Sequence, residues 1–341
     1  MRPIVLLTLL STGCNDYNLQ GSEDAKGKYN PPDLAAKEQV DRITQVTIPA
    51  VDVLWVVDNS CSMEEEQRAL RDNFGSFMQY FTGSGLDYHV GVVSTDMDNR
   101  NESGRLILDY SGDSRYIDNT LTEDEALDSF EDRTLLGVNG SGTESGLDAV
   151  MAALTTERYS TNDGFYRDEA SLSIVIISDE PDQSDVSVNE FTSWFQGLKT
   201  DEDYTVTFSA IVGPDRSTCP AAERGTYYIE VANQMDGIIW PICTEDWSTV
   251  LEELGLRAAG LKREFFLSLV PVEESIAVTV TDSDAVATPY VAGTDWTYSR
   301  TRNSISFAEF TPLPLNVVEI TYEVLASKQG VDEEEVTETA E

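Results

Sequence analysis

The chain has 341 residues, room for about two domains, and 40% of them are apolar, enough to build real cores. Its 62 acidic and 22 basic residues give a formal charge of −40. Such a surface repels nucleic acid and anionic lipid and attracts divalent cations. Its plain reading is a solubility device or an adaptation to a salty medium.

At the amino terminus, Arg2 is the only charged residue ahead of an apolar run from Ile4 to Leu10, too short to span a bilayer. Ser11, Thr12, Gly13 and Cys14 follow. Small residues before a cysteine resemble a bacterial lipoprotein cleavage site, with 1–14 as the signal peptide and Cys14 as the lipidated residue. Ser11 stands where that pattern usually has an aliphatic residue, so a plain secretory signal is the other reading. Residues 15–46 are polar, contain Pro31 and Pro32, and read as a tether. No later segment is long and apolar enough to span a membrane.

From Val51 the pattern alternates between strands and helices. Strands are expected at 51–57, 88–95, 171–178, 204–212 and 237–242. Leu70, Phe74, Phe77, Met78 and Phe81 share one helical face, and Leu147, Val150, Met151 and Leu154 another. A last amphipathic helix is expected over 245–262. Strands rich in Val and Ile that alternate with helices predict an α/β fold, a doubly wound and mostly parallel sheet. A polar, Gly-rich insertion at 97–140 should hold a short strand at 105–110 and a helix at 123–131. After Arg263 the period changes to two: Ile276, Val278 and Val280, then Ile305 and Phe307, then Val318, Ile320, Tyr322 and Val324. This predicts a small β-sandwich over 263–327. Residues 328–341 read as an acidic, disordered tail.

Chemistry concentrates where the first expected strand of the sheet ends. Asp58, Ser60 and Ser62 form an Asp-x-Ser-x-Ser group between an apolar strand and a helix, at the rim where open α/β sheets bind ligands. Oxygen ligands of low total charge suit a hard cation such as Mg²⁺. Cys219 and Cys243 bracket a segment that leaves and rejoins the sheet, and an exported protein permits a disulfide between them. Cys61 is left over, as a small buried thiol or a transient partner. His89 is the only histidine, so zinc and histidine-based acid–base catalysis have little to work with. Tyr227, Tyr228 and Trp240 read as core residues. Glu64, Glu65 and Glu66 suit the first turn of a helix, where the macrodipole favours acids. No Gly-Lys-Ser/Thr follows the Gly-rich loops, against a nucleotide site.

Taken in order, three segments resemble the von Willebrand factor type A domain and its metal-ion-dependent adhesion site. They are the Asp58-x-Ser60-x-Ser62 group, the loop Asn139-Gly-Ser141-Gly-Thr143-Glu-Ser-Gly-Leu147, and the strand ending in Ser178-Asp179. The resemblance covers 47–262 and extends to exported bacterial lipoproteins in which a small β-domain follows. It implies a Rossmann-like fold and a cation held by Asp58, Ser60, Ser62, a hydroxyl of the middle loop and Asp179. Ser141 lies six residues before Leu147, as the family's threonine does; Thr143 is the substitute. The cation would be Mg²⁺, alternatively Ca²⁺ or Mn²⁺. The family often has Thr-Asp-Gly where this chain has Ser178-Asp179-Glu180-Pro-Asp182. Glu180 and Asp182 are therefore possible accessory ligands, as is Asp96 on the next strand, whose plainer reading is a turn residue. The resemblance implies a non-enzymatic adhesion module, anchored to a bacterial envelope, whose cation recognises an acidic side chain on a protein partner. The alternative is a structural envelope lipoprotein whose site is closed by Glu180 or Asp182.

Overall fold

The first described segment departs from expectation: Leu34–Thr44, placed in the tether, is a strand, β1. The structure is a computed structural model and describes residues 34–45, 50–82, 86–112, 114–200, 204–235, 237–308 and 310–327. Cys14, the signal peptide, most of the tether and the acidic tail lie outside the described residues.

β2 (Ala50–Val57) runs through the middle of the larger sheet with every residue buried. It pairs in parallel with β3 (Asp87–Ser94) and β5 (Ser171–Ser178), which sets Trp55 opposite both Val92 and Val175. β4 (Tyr116–Asp118) closes one edge antiparallel to β3. On the other side β6 (Val206–Val212) and the short β7 (Ile239–Pro241) follow in parallel, giving the order β4-β3-β2-β5-β6-β7. Residues 105–110 form no strand. Ile107 N donates to Val92 O (2.8 Å), but the antiparallel ladder to β3 is made by Tyr116–Asp118 instead.

Helices cover both faces. On one, α1 (Glu64–Met78), α2 (Glu123–Thr134) and α6 (Trp247–Ala258) pack over Val53, Trp55 and Val57. The Trp55 ring meets Phe74, Phe77 and Phe130 edge-on, with centroids 5.1–6.0 Å apart, a favoured aromatic geometry. Gly255 is required where α6 crosses α1, because a Cβ there would collide with the Phe77 carbonyl. On the opposite face α3 (Gly146–Leu154), α4 (Val188–Gln196) and α5 (Thr226–Gln234) cover Leu54, Val56, Ile174 and Ile176. α2 and α4 begin with capping boxes, Thr122 with Glu125 and Ser187 with Glu190, which satisfy otherwise orphaned amides.

The second unit is the expected β-sandwich. Its strands are β8 (Glu264–Phe266), β9 (Ala277–Thr281), β10 (Ala287–Tyr290), β11 (Trp296–Ser299), β12 (Ser304–Phe307) and β13 (Val317–Ser327). One sheet runs β1-β13-β9-β10 and the other β11-β12-β8. Phe265, Val278, Ile305, Phe307, Val318, Ile320 and Tyr322 fill the space between them. β1 belongs here, paired with β13 along its whole length, so the unit is completed from the amino-terminal side of the α/β domain. Its polar look is that of an edge strand with few inward residues. The two units meet at the amino ends of the parallel strands: Arg263 binds Tyr80 Oη (3.1 Å) and Glu252, and Gln45 Nε2 donates to Lys262 O and Pro312 O.

Candidate metal centre

Where β2 ends, the chain is held from both sides, with Asp58 N donating to Ile177 O and Thr95 N to Val57 O. Asp58 is fully buried, and its two oxygens are already oriented. Oδ1 accepts from Ser60 N (2.7 Å), and Oδ2 accepts from Ser178 Oγ (2.6 Å) at the end of β5. The turn brings Ser60 Oγ within 3.3 Å of Ser62 Oγ. Met63, fully buried, anchors the start of α1, and Gln67 Nε2 ties that helix back to Asp58 O. Asp179, next after Ser178, is buried and hydrogen-bonded to the Ser62 side chain, yet its Oδ1 has no partner. Asp58, Ser60, Ser62 and Asp179, named from sequence, thus come together, with Ser178 as a support that sequence reading missed.

The middle loop is arranged differently from expectation. Gly140 N donates to Asn59 O (2.9 Å), and Gly140 lies so close to the Asn59 side chain that a Cβ would clash, so the loop runs hard against the Asp58 turn. Ser141 Oγ, however, donates to Asp98 (2.8 Å), while Ser141 N donates to Asp96 Oδ2. Thr143 is exposed, with its amide donating to Ser141 Oγ. The group this loop sends to the centre is Glu144. It is fully buried, takes a hydrogen bond from Thr95 Oγ1, and sets its carboxylate against that of Asp58, with Oε1 lacking any donor. Glu144 stands one residue before the cap of α3, and no local spacing marks it as the side chain of this Gly-rich loop that turns inward.

The accessory residues separate by their partners. Asp96 accepts from the amides of Asp98, Asn99 and Ser141, which is the turn role. Asp182 accepts from Leu147 N and Ser184 Oγ at the start of α3, so its charge is committed to a helix amino terminus rather than to closing the site. Glu180 lies close enough to Asp58 and Asp179 for their charges to act on it.

The electrostatics follow. Burial, then the Asp58 charge, pushes Glu144 up to about 8. Burial also raises Asp179, against the bond from Ser62 and with Asp58 adding to it. Glu180 is raised by burial and then by Asp58, Asp179 and Glu223; Glu66, whose Oε2 is also unpartnered, by burial and then chiefly by Asp179, Glu65 and Asp58. Among the described residues Asp58, Glu66, Glu144, Asp179 and Glu180 make no ion pair with a lysine or arginine. Nor do any three His, Cys, Asp or Glu side chains among them close into a cage by themselves, so a cation here would need hydroxyls as well. The all-oxygen donor set with orphaned buried oxygens fits a hard divalent ion.

Elsewhere, Cys219 and Cys243 form the expected disulfide, with Cα atoms 5.8 Å apart. Cys61 is exposed and free. His89 Nδ1 lies 2.8 Å from Phe165 O, on β3 and away from the rim. Tyr228 and Tyr227 divide: the first is fully buried with its hydroxyl on Gly146 N, the second is exposed.

A doubly wound sheet with an Asp-x-Ser-x-Ser turn at its carboxyl rim is similar to von Willebrand factor type A domains. Among solved structures, the chain is similar to a von Willebrand factor type A protein from Catenulispora acidiphila, at 11% identity and TM-score 0.42 over 86% of this chain. It is also similar to the pilus adhesin SpaC from Lactobacillus rhamnosus GG (13%, 0.44, 86%) and to proximal thread matrix protein 1 from the mussel byssus (12%, 0.39, 64%). The chain spans 65%, 42% and 48% of those chains, respectively. No protein-family model and no curated protein sequence matches it. These superpositions are partial, so the chemistry of the site is taken from this chain's own residues.

Proposed function

We propose that the protein is a divalent-cation-dependent binding module, anchored at a bacterial envelope, that captures a partner through an acidic group. What carries this reading is the meeting of Asp58, Ser60, Ser62 and Asp179 from two separate strands, with Asp179 Oδ1 buried and unpartnered. When bound, the cation would supply an electrophilic position open to an outside ligand. Ser60 and Ser62 offer neutral oxygens, which leave it under-neutralised and favour an incoming carboxylate. Metal and partner would then bind cooperatively. Ser178 holds Asp58 in the orientation this requires, and Gln67 fixes the turn to α1. Binding rather than catalysis suits a rim without histidine. Envelope anchoring rests on the leader pattern ending at Cys14.

A second reading, a structural cation, is favoured by one observation, the Glu180 carboxylate beside Asp58 and Asp179. Calorimetric titration with Mg²⁺, Mn²⁺ and Ca²⁺ tests the site before any partner is known. The wild type should bind at one site and Asp58→Ala should not; binding by both would overturn the assignment. A Ser60→Ala/Ser62→Ala double variant separates the two readings. Weaker cation binding with the metal-free melting temperature intact and only slight metal stabilisation fits an open binding site. A large loss of stability fits a structural ion.

A further inference from the structure

We infer that the β-sandwich is a pedestal that turns the rim outward, toward a partner borne by an opposing surface rather than by the membrane that holds the chain. This rests on the reading of the rim as a binding site and adds where its partner stands.

Three observations carry it. First, Leu34 opens β1, Ser327 closes β13, and the two are register partners. The amino-terminal and carboxyl-terminal connections therefore leave side by side, whichever of them carries the attachment. Second, the ladder runs from that pair to Thr44 and Val317. Gln45 follows, and its side chain is bonded to Lys262 O and Pro312 O at the junction with the α/β domain. β1 thus spans the sandwich from the chain ends to the junction. Third, β2 starts at that junction and carries the chain, in parallel with β3 and β5, to Asp58 at the rim.

The two units are joined end to end rather than side by side. Their cores share no residue. The bonds from Arg263 reach Tyr80, past the end of α1, and Glu252, in the last two turns of α6. At about 3.3 Å per residue β1 adds roughly 36 Å and β2 roughly 26 Å, which sets the rim up to about 60 Å from the chain ends. A headgroup or protein of the anchoring membrane faces the sandwich pole, whereas a ligand on a second surface faces the rim. The formal charge of −40 further opposes laying the rim against anionic lipid.

The test uses Cys61, exposed and free in the Asp58–Ser62 turn, as a handle on the rim. In a Cys14→Ser background, a hexahistidine added after Glu341 holds the full chain on phosphatidylcholine vesicles containing nickel-chelating lipid. Beads coated with maleimide serve as the opposing surface, too large to reach past the protein. A second chain, Cys61→Ser/Ala36→Cys, moves the thiol to the exposed position 36 at the sandwich pole. Capture is normalised to labelling of each thiol by a small soluble maleimide. Beads should take up vesicles at least about tenfold more efficiently through Cys61 than through position 36, because a linkage is lost where geometry forbids contact. Equal capture through the two thiols, or better capture through position 36, would overturn the inference. The attachment is supplied and no metal is needed, so such a failure leaves the cation site to the calorimetric titration. Failure of that titration, in turn, leaves the outward-facing rim standing without its ligand.

Discussion

Glu144 has one hydrogen-bond donor, Thr95, and a facing acid, Asp58. Its proton is held up to about pH 8, against an ordinary value of 4.5. Between those values the native protein binds a proton that the unfolded chain has released, so stability falls as pH rises across that window. Asp179, Glu180 and Glu66 shift in the same direction and steepen the slope. Melting in a chelating buffer should therefore give a lower midpoint at about pH 8 than at about pH 5.5. Saturating Ca²⁺ should flatten the difference, because an ion between the carboxylates replaces the proton. An unchanged slope with the ion present would mean that these acids do not face it. Asp58, Ser60 and Ser62 stood out in the sequence because they follow directly on a buried apolar strand, and Asp179 because the end of its strand resembles that of the von Willebrand factor type A family. The residue pattern did not reveal Glu144, since which side chain of a glycine-rich loop turns inward is decided by packing against Asn59 and Thr95, not by local spacing.

Among the elements, the buried parallel strands were legible because a strand covered on both faces is a continuous apolar run, as in β2 and β5. Edge strands carry no such run. β4 has three residues and was displaced in expectation to 105–110, where the short apolar run Leu106-Ile107-Leu108 reads as a strand. β1 was hidden for a different reason: only its pairing with β13, some 280 residues away, makes it a strand. Its register is locked by Asp41, whose carboxylate accepts from Ser268 N, Ser268 Oγ and Tyr322 Oη. Asp41→Ala would leave those donors short of an acceptor and should cost about 1–3 kcal/mol in denaturant unfolding of the β-sandwich. The change should leave cation affinity untouched, since the sandwich meets the sheet at the pole opposite the rim. A neutral substitution would mean that β1 contributes little to the unit it completes.

At the scale of the whole molecule, two electrostatic effects overlap and must be separated. A formal charge of −40 makes the folded state repel itself, and any salt relieves that repulsion. The Debye length falls from about 10 Å at 0.1 M to about 3 Å at 1 M, so the melting temperature should climb with NaCl and then level off. This response belongs to the entire surface and should survive Asp58→Ala. A specific ion acts otherwise: it stabilises by mass action, by about 2.7 kcal/mol at a hundredfold excess over its dissociation constant. Millimolar Ca²⁺, added at constant ionic strength on the NaCl plateau, should therefore raise the wild-type midpoint again and leave Asp58→Ala where it was. If the variant rose equally, the divalent ion would be acting as concentrated atmosphere around an acidic protein. The rim's oxygens would then be an acidic surface among many, and the strand ends that gather them would have no ligand to account for.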